Sequence, residues 1–203
     1  MIVFNIINII NFGFYHDIMI KQFITPNRSL TEETEAKLNQ QILMEGLSSA
    51  RYLSMASWCD TRGYVKSAEF LYRHSEEERQ HMLKLFSYIN EAGGHALQPE
   101  ISDIKNDFSS LREVFEDVLD HEIEVTKSIN DIADHCFRIK DFATFNFLQW
   151  FVTEQREEET IARRAVELFD IIGEEGIGLW TIDQEIANLE SFAAEAGPGE
   201  TQA

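Results

Sequence analysis

The stretch Leu71-Tyr-Arg-His-Ser-Glu-Glu-Glu-Arg-Gln-His-Met-Leu-Lys-Leu85 holds neither Gly nor Pro and is rich in strong helix formers. Positions 71, 74, 78, 81 and 85 recur at helical spacing, and the leucines at both ends mark that stripe as the buried one. Between them the stripe carries His74, Glu78 and His81. A carboxylate and an imidazole three residues apart share one helical face. A buried carboxylate without a partner is costly, so the stripe requires a cation or a hydrogen-bond network. A lone E-x-x-H is more often a surface helix with solvated charges. Repetition of the anomaly on other helices decides between the two.

It is repeated. Upstream, the pattern Ser29-x-x-Glu32 reads as a capping box opening a helix to about Cys59. Its stripe is Leu38, Ile42, Glu45, Ser49, Tyr52, Ala56 and Cys59. The short turn Asp60–Tyr64 makes this helix an antiparallel neighbour of the next, which ends near Gly93 and Gly94. Downstream, Ser110-x-x-Glu113 opens a third helix whose stripe, Leu111, Phe115, Val118, Glu122, Val125, Ile129, Ile132 and Cys136, contains one charge. A turn around Arg138–Asp141 leads to a fourth, with stripe Leu148, Phe151, Gln155, Glu158, Ala162, Ala165 and Phe169. After Gly173, Gly176 and Gly178 comes a short amphipathic helix, Ile182, Ile186, Leu189.

The segment from His95 to about Ser109 has no period and contains Pro99. A helix of about 27 residues is roughly 40 Å long, and fifteen extended residues reach about 50 Å. The connection can therefore run the length of a bundle and start the third helix parallel to the second. The fold expected is all-α: a four-helix bundle with a long second-to-third crossover and a short fifth helix.

Glu45, Glu78, Glu122 and Glu158 each interrupt an apolar seam near mid-helix, so all four meet at one level of such a bundle. Four carboxylates in a core repel one another and are poorly solvated. Two divalent cations balance their charge. With His81 as a nitrogen donor, the set suits non-haem iron.

Composition narrows the function classes. The 203 residues carry a formal charge of −19, which argues against nucleic acid and favours attraction of cations. Cys59 and Cys136 have no metal or disulfide spacing and read as buried thiols of a reducing, cytoplasmic compartment. Residues 1–18, MIVFNIINIINFGFYHDI, have no basic n-region or small-residue cleavage site, and Asn5, Asn8, Asn11, His16 and Asp17 argue against a membrane span. We read residues 1–28 as an N-terminal extension, with Met19 as the natural start and 1–18 translated upstream sequence or else a disordered extension, 29–196 as one domain, and 197–203 as a polar tail.

From about Leu30 to Leu189 the chain resembles a bacterial non-haem ferritin. The resemblance rests on Glu45 and Tyr52, R-H-S-E-E-E-R-Q-H (73–81), H-E (121–122) and the specific run D-F-A-T-F-N-F-L-Q-W-F-V-T-E-Q-R-E-E-E (141–159). Gln155 in place of a second E-x-x-H histidine points away from bacterioferritin and rubrerythrin, and the lack of a C-x-x-C pair also speaks against rubrerythrin. The resemblance implies Fe(II) oxidation by O₂ or peroxide and storage as ferric mineral inside a homo-oligomeric shell of twenty-four subunits, with no haem. It implies a first iron on Glu45, Glu78 and His81, a second on Glu78, Glu122 and Glu158 with Gln155 beside it, and a third, lower-affinity position at Glu77, Glu154 and Glu157. A solvated acidic face is the alternative for those last three. Tyr52 and Trp150 match aromatic residues near the iron, with core packing as the alternative to electron donation; His74 reads as a hydrogen-bonded core residue and His121 as an ordinary neighbour of Glu122. Gly46-Leu47 departs from the bulkier pair usual in the family. Two rival functions are a di-iron oxidase acting on a small organic substrate and a shell subunit that only nucleates mineral.

Overall fold

The computed structural model describes residues 28–189. The expectations for residues 1–27, including the Met19 start, and for 190–203 lie outside the described residues. Within them are five helices: α1 (Glu32–Thr61), α2 (Val65–Glu91), α3 (Leu111–Ile139), α4 (Phe142–Ile172) and α5 (Gly178–Ile186). No strand occurs among the described residues, and no helix there is long and apolar enough to cross a membrane.

Local chemistry sets the helix ends, with one correction to the sequence reading. The cap of α1 is Thr31, whose hydroxyl accepts from Thr34 N at 3.1 Å. Ser29 lies two residues too early, because the Thr31–Thr34 pair supplies a cap nearer the first helical turn. Ser110 caps α3 as expected, accepting from Glu113 N, while Glu113 reaches back to Ser109 N and Oγ. Lys140 ends α3 in the left-handed region at φ 61°, and Asp141 then caps α4 by accepting from Thr144 N.

The N-terminus of α2 has no cap of its own, since Tyr64 offers no side-chain hydrogen bond there. Asp183 of α5 supplies one from across the molecule. It accepts from Lys66 N at 3.3 Å and from Ser67 N and Oγ at 2.8 Å each. These are the amides a capping side chain normally satisfies, and the carboxylate also sits at the positive end of the helix dipole.

Helix α1 packs on α2, α3 on α4, and α5 against α2 and α4. The crossover runs along α1 from its start to its end. Leu97 N donates to Asn39 Oδ1, Ser54 Oγ donates to Lys105 O, and Trp58 Nε1 donates to Asp107 Oδ1. Midway it passes over Gly46, where a Cβ would lie 3.0 Å from Ile101 Cδ1 and 3.7 Å from Pro99 Cγ. The glycine makes room for the crossing chain.

The apolar core is divided. One cluster holds Tyr52, Leu71, Phe115, Ile161 and Phe169 together with Ile182, Ile186 and Leu189. The other holds Leu38, Ile42, Leu85, Ile89, Val125, Ile129, Leu148 and Phe151. On every long helix the break between the two falls at the seam acid.

Candidate metal centre

That break is a buried polar layer. Glu45, Glu78, His81, Glu122, Gln155 and Glu158 are all buried within it, Glu122 completely. The layer has two unlike halves.

In the first half, His81 Nδ1 lies 3.6 Å from Glu78 Oε2 and 3.9 Å from Glu45 Oε2. Neither carboxylate oxygen has a hydrogen-bond partner. Two buried oxygens without partners converging on an imidazole nitrogen form a donor set for a cation: hard oxygens, one nitrogen, and ligand atoms within 4.8 Å of one another. Glu45 Oε1, by contrast, accepts from Gln41 Nε2 at 2.8 Å.

In the second half the acids already have partners. Tyr52 OH donates to Glu122 Oε1 at 2.7 Å, and Gln155 Nε2 donates to Glu122 Oε2 at 3.0 Å. His74 Nδ1 is 3.3 Å from Glu158 Oε2 and 3.7 Å from Glu77 Oε2. His74 is therefore buried as expected, but it stands in the acid cluster and stacks on Tyr52 with ring centroids 5.4 Å apart.

Electrostatics follow from the burial. Desolvation first, and then the charge of Glu78, holds Glu45 well above the usual carboxylate range; Glu78 is raised by burial and then by Glu122. Burial and then Glu158 lift Glu122 to about 7. The Tyr52 phenol is pushed up by burial and next by Glu122. Burial thus favours the protonated forms of Glu45, Glu78 and Glu122, with which a cation would compete.

Beside Glu158 opens a cavity of about 210 Å³ lined by His74, Glu77, Glu154, Glu157, Glu158 and Ile161. The three residues expected at a third position thus share one wall with Glu158. Burial raises Glu154 above its ordinary range. Trp150 is 38% exposed; it meets His81 edge-on at 5.2 Å and Phe151 at 4.9 Å, with Lys84 Nζ 3.7 Å above its ring. His121 does not serve the layer: Arg51 Nη1 donates to its Nδ1 and Ser48 Oγ lies 2.6 Å from its Nε2.

A model of the ferritin-like domain matches residues 35–172. The chain belongs to the ferritin family. A probable bacterial non-heme ferritin-like protein of Haemophilus influenzae is 42% identical over 81% of this chain and 99% of its own length. The bacterial non-heme ferritin of Campylobacter jejuni is 42% identical over 79% and 96%. Among solved structures, an open pore ferritin from Archaeoglobus fulgidus superposes with a TM-score of 0.76 at 37% identity, covering 78% of this chain and 98% of that one. Iron storage with Fe(II) oxidation is the work of this family.

Sequence reading of this ferritin missed two contributors to the layer. Gln41 lies on the seam one turn before Glu45, and a polar residue adjoining a seam acid was the signal available. The link from His74 to Glu158 crosses between helices, and no local pattern announces it.

Proposed function

We propose that this ferritin oxidises Fe(II) in the acid layer and stores the product as ferric mineral within a shell of its own subunits, twenty-four by family resemblance. The observation that carries the reading is the pair of partnerless oxygens, Glu45 Oε2 and Glu78 Oε2, beside His81 Nδ1. The first ferrous ion is assigned to these three residues. The second is assigned to Glu78, Glu122 and Glu158, with Gln155 adjacent, and filling it means replacing hydrogen bonds that Glu122 already makes.

Two Fe(II) ions give up one electron each, and together they reduce one O₂ to the peroxide level or cleave an added peroxide. The protein's part is to hold both ions close, to release protons from raised carboxyl groups as the ions enter, and to keep water out of the layer. The cavity walled by Glu77, Glu154 and Glu157 is the assigned way-station for Fe(III) leaving the layer. Its lining of four carboxylates, His74 and a single aliphatic residue fits a cation and not an organic substrate. The presence of every seam acid speaks against a purely nucleating subunit. Buried free thiols at Cys59 and Cys136 support work in the cytoplasm, and no haem is assigned.

The test is aerobic addition of Fe(II) to purified metal-free protein, followed by absorbance and by electron microscopy. Rapid oxidation and iron-filled shells are expected. Oxidation no faster than in buffer would reject the reading.

A further inference from the structure

Resting on that ligand assignment, we propose that Gln41 is a positioning residue that fixes Glu45 as a single-oxygen ligand, and that Ser128 locks Gln41 in the orientation required. Gln41 is fully buried on α1, one turn before Glu45. Its Nε2 donates to Glu45 Oε1 at 2.8 Å, and its Oε1 accepts from Ser128 Oγ of α3 at 2.6 Å.

The direction of the chain follows from donor chemistry. A metal-bound carboxylate only accepts, so the amide NH₂ faces Glu45 and the amide oxygen faces away. That oxygen, with no solvent to satisfy it, is held by the Ser128 hydroxyl. A flipped amide would set its oxygen against the carboxylate and lose the bond to Glu45. Glu45 is therefore clamped at Oε1, and Oε2, which has no partner, is left aimed toward His81 Nδ1 at 3.9 Å. The clamp does two things. It spares the metal from ordering a free glutamate, and it keeps Oε1 from turning to chelate the same ion, leaving coordination positions open.

Outer partners of metal ligands commonly set affinity by about ten- to a hundredfold. The experiment uses Co(II) alone, under argon, titrated into the metal-free full chain while its visible d–d bands are recorded. Wild type, Gln41→Leu, Ser128→Ala, Ser128→Thr and Glu45→Ala are compared. Gln41→Leu keeps bulk and removes the donor; it is expected to bind the first Co(II) about ten- to a hundredfold more weakly, with shifted bands. Ser128→Ala is expected to weaken it several-fold, and Ser128→Thr, which keeps the hydroxyl, to restore it. Wild-type affinity and bands in folded Gln41→Leu would overturn the proposal. If Gln41→Leu does not fold, indistinguishable Co(II) binding by the two Ser128 variants would overturn it equally. Glu45→Ala separates the two claims: it must lose the first Co(II), and if it does not, the ligand assignment fails and the clamp with it.

Discussion

The hydroxyl of Tyr52 on α1 donates to Glu122 Oε1 on α3 at 2.7 Å, tying an aromatic residue of one apolar cluster to the acid layer. The bond stabilises the charged form of Glu122, which burial disfavours. Tyr52→Phe leaves that oxygen buried without its donor and should cost the metal-free protein about 1 to 3 kcal/mol. Zn(II) should narrow the gap by supplying the missing positive charge. Melts with and without Zn(II) check this; an equal loss in both states would contradict it.

The pH dependence of metal-free stability follows from Glu122. Its folded-state value of about 7 stands above the ordinary 4.5, so the folded protein holds a proton that the unfolded chain has released. Its contribution is complete below about pH 4.5 and is lost as the pH climbs through about 7, amounting to about 3 kcal/mol at most. Metal-free protein should melt lower at pH 7.5 than at pH 5.5, and Glu122→Gln should flatten the trend. A metal-free melting point that rises across this window would contradict the assignment.

Capping of α2 by Asp183 predicts a stability effect with no catalytic one. Asp183→Ala removes the acceptor for Lys66 N and Ser67 N and should cost about 1 to 2 kcal/mol in chemical denaturation. Asp183→Asn, which keeps an acceptor oxygen, should cost less. Iron oxidation by the folded variant should be unchanged, because Asp183 stands at the far end of one apolar cluster from the acids.

Gly46 sets how closely the crossover lies on α1. Gly46→Ala gains about 1 kcal/mol of helix propensity and spends it displacing the Ile101 methyl, so stability should stay within about 1 kcal/mol of wild type. Gly46→Leu should cost about 1 to 3 kcal/mol by lifting Pro99 and Ile101 off the helix. Denaturation midpoints measure both, and a Leu variant as stable as Ala would show that the crossover yields freely.

The acid layer was legible because a single glutamate inside an otherwise apolar stripe is conspicuous, as at Glu122 between Val118 and Val125. The crossover was legible from length alone: too few residues to wander, enough to span a bundle. What stayed hidden depends on partners far off in the chain. Gly46 looked anomalous until Ile101 lay against it, and Asp183 gives no local sign of capping a helix more than a hundred residues earlier. Thr31 was overlooked for a different reason. Ser29-x-x-Glu32 matches the capping pattern better, yet the hydroxyl pair Thr31–Thr34 satisfies the helix from a closer register. Gln41 gave no signal of its own, since its meaning lies in Ser128 on another helix.

The central claim is that Glu78 serves both metal positions. Glu78→Gln keeps the shape of the side chain and removes its charge, so the metal-free variant should be at least as stable as wild type, with like-charge repulsion in the layer relieved. Stopped-flow mixing with Fe(II) in air is the direct measurement. Both ions lose a ligand in this variant, and the fast phase of oxidation should fall about a hundredfold or more, beyond what loss of an outer partner costs. Oxidation at the wild-type rate by folded Glu78→Gln would contradict the di-iron account.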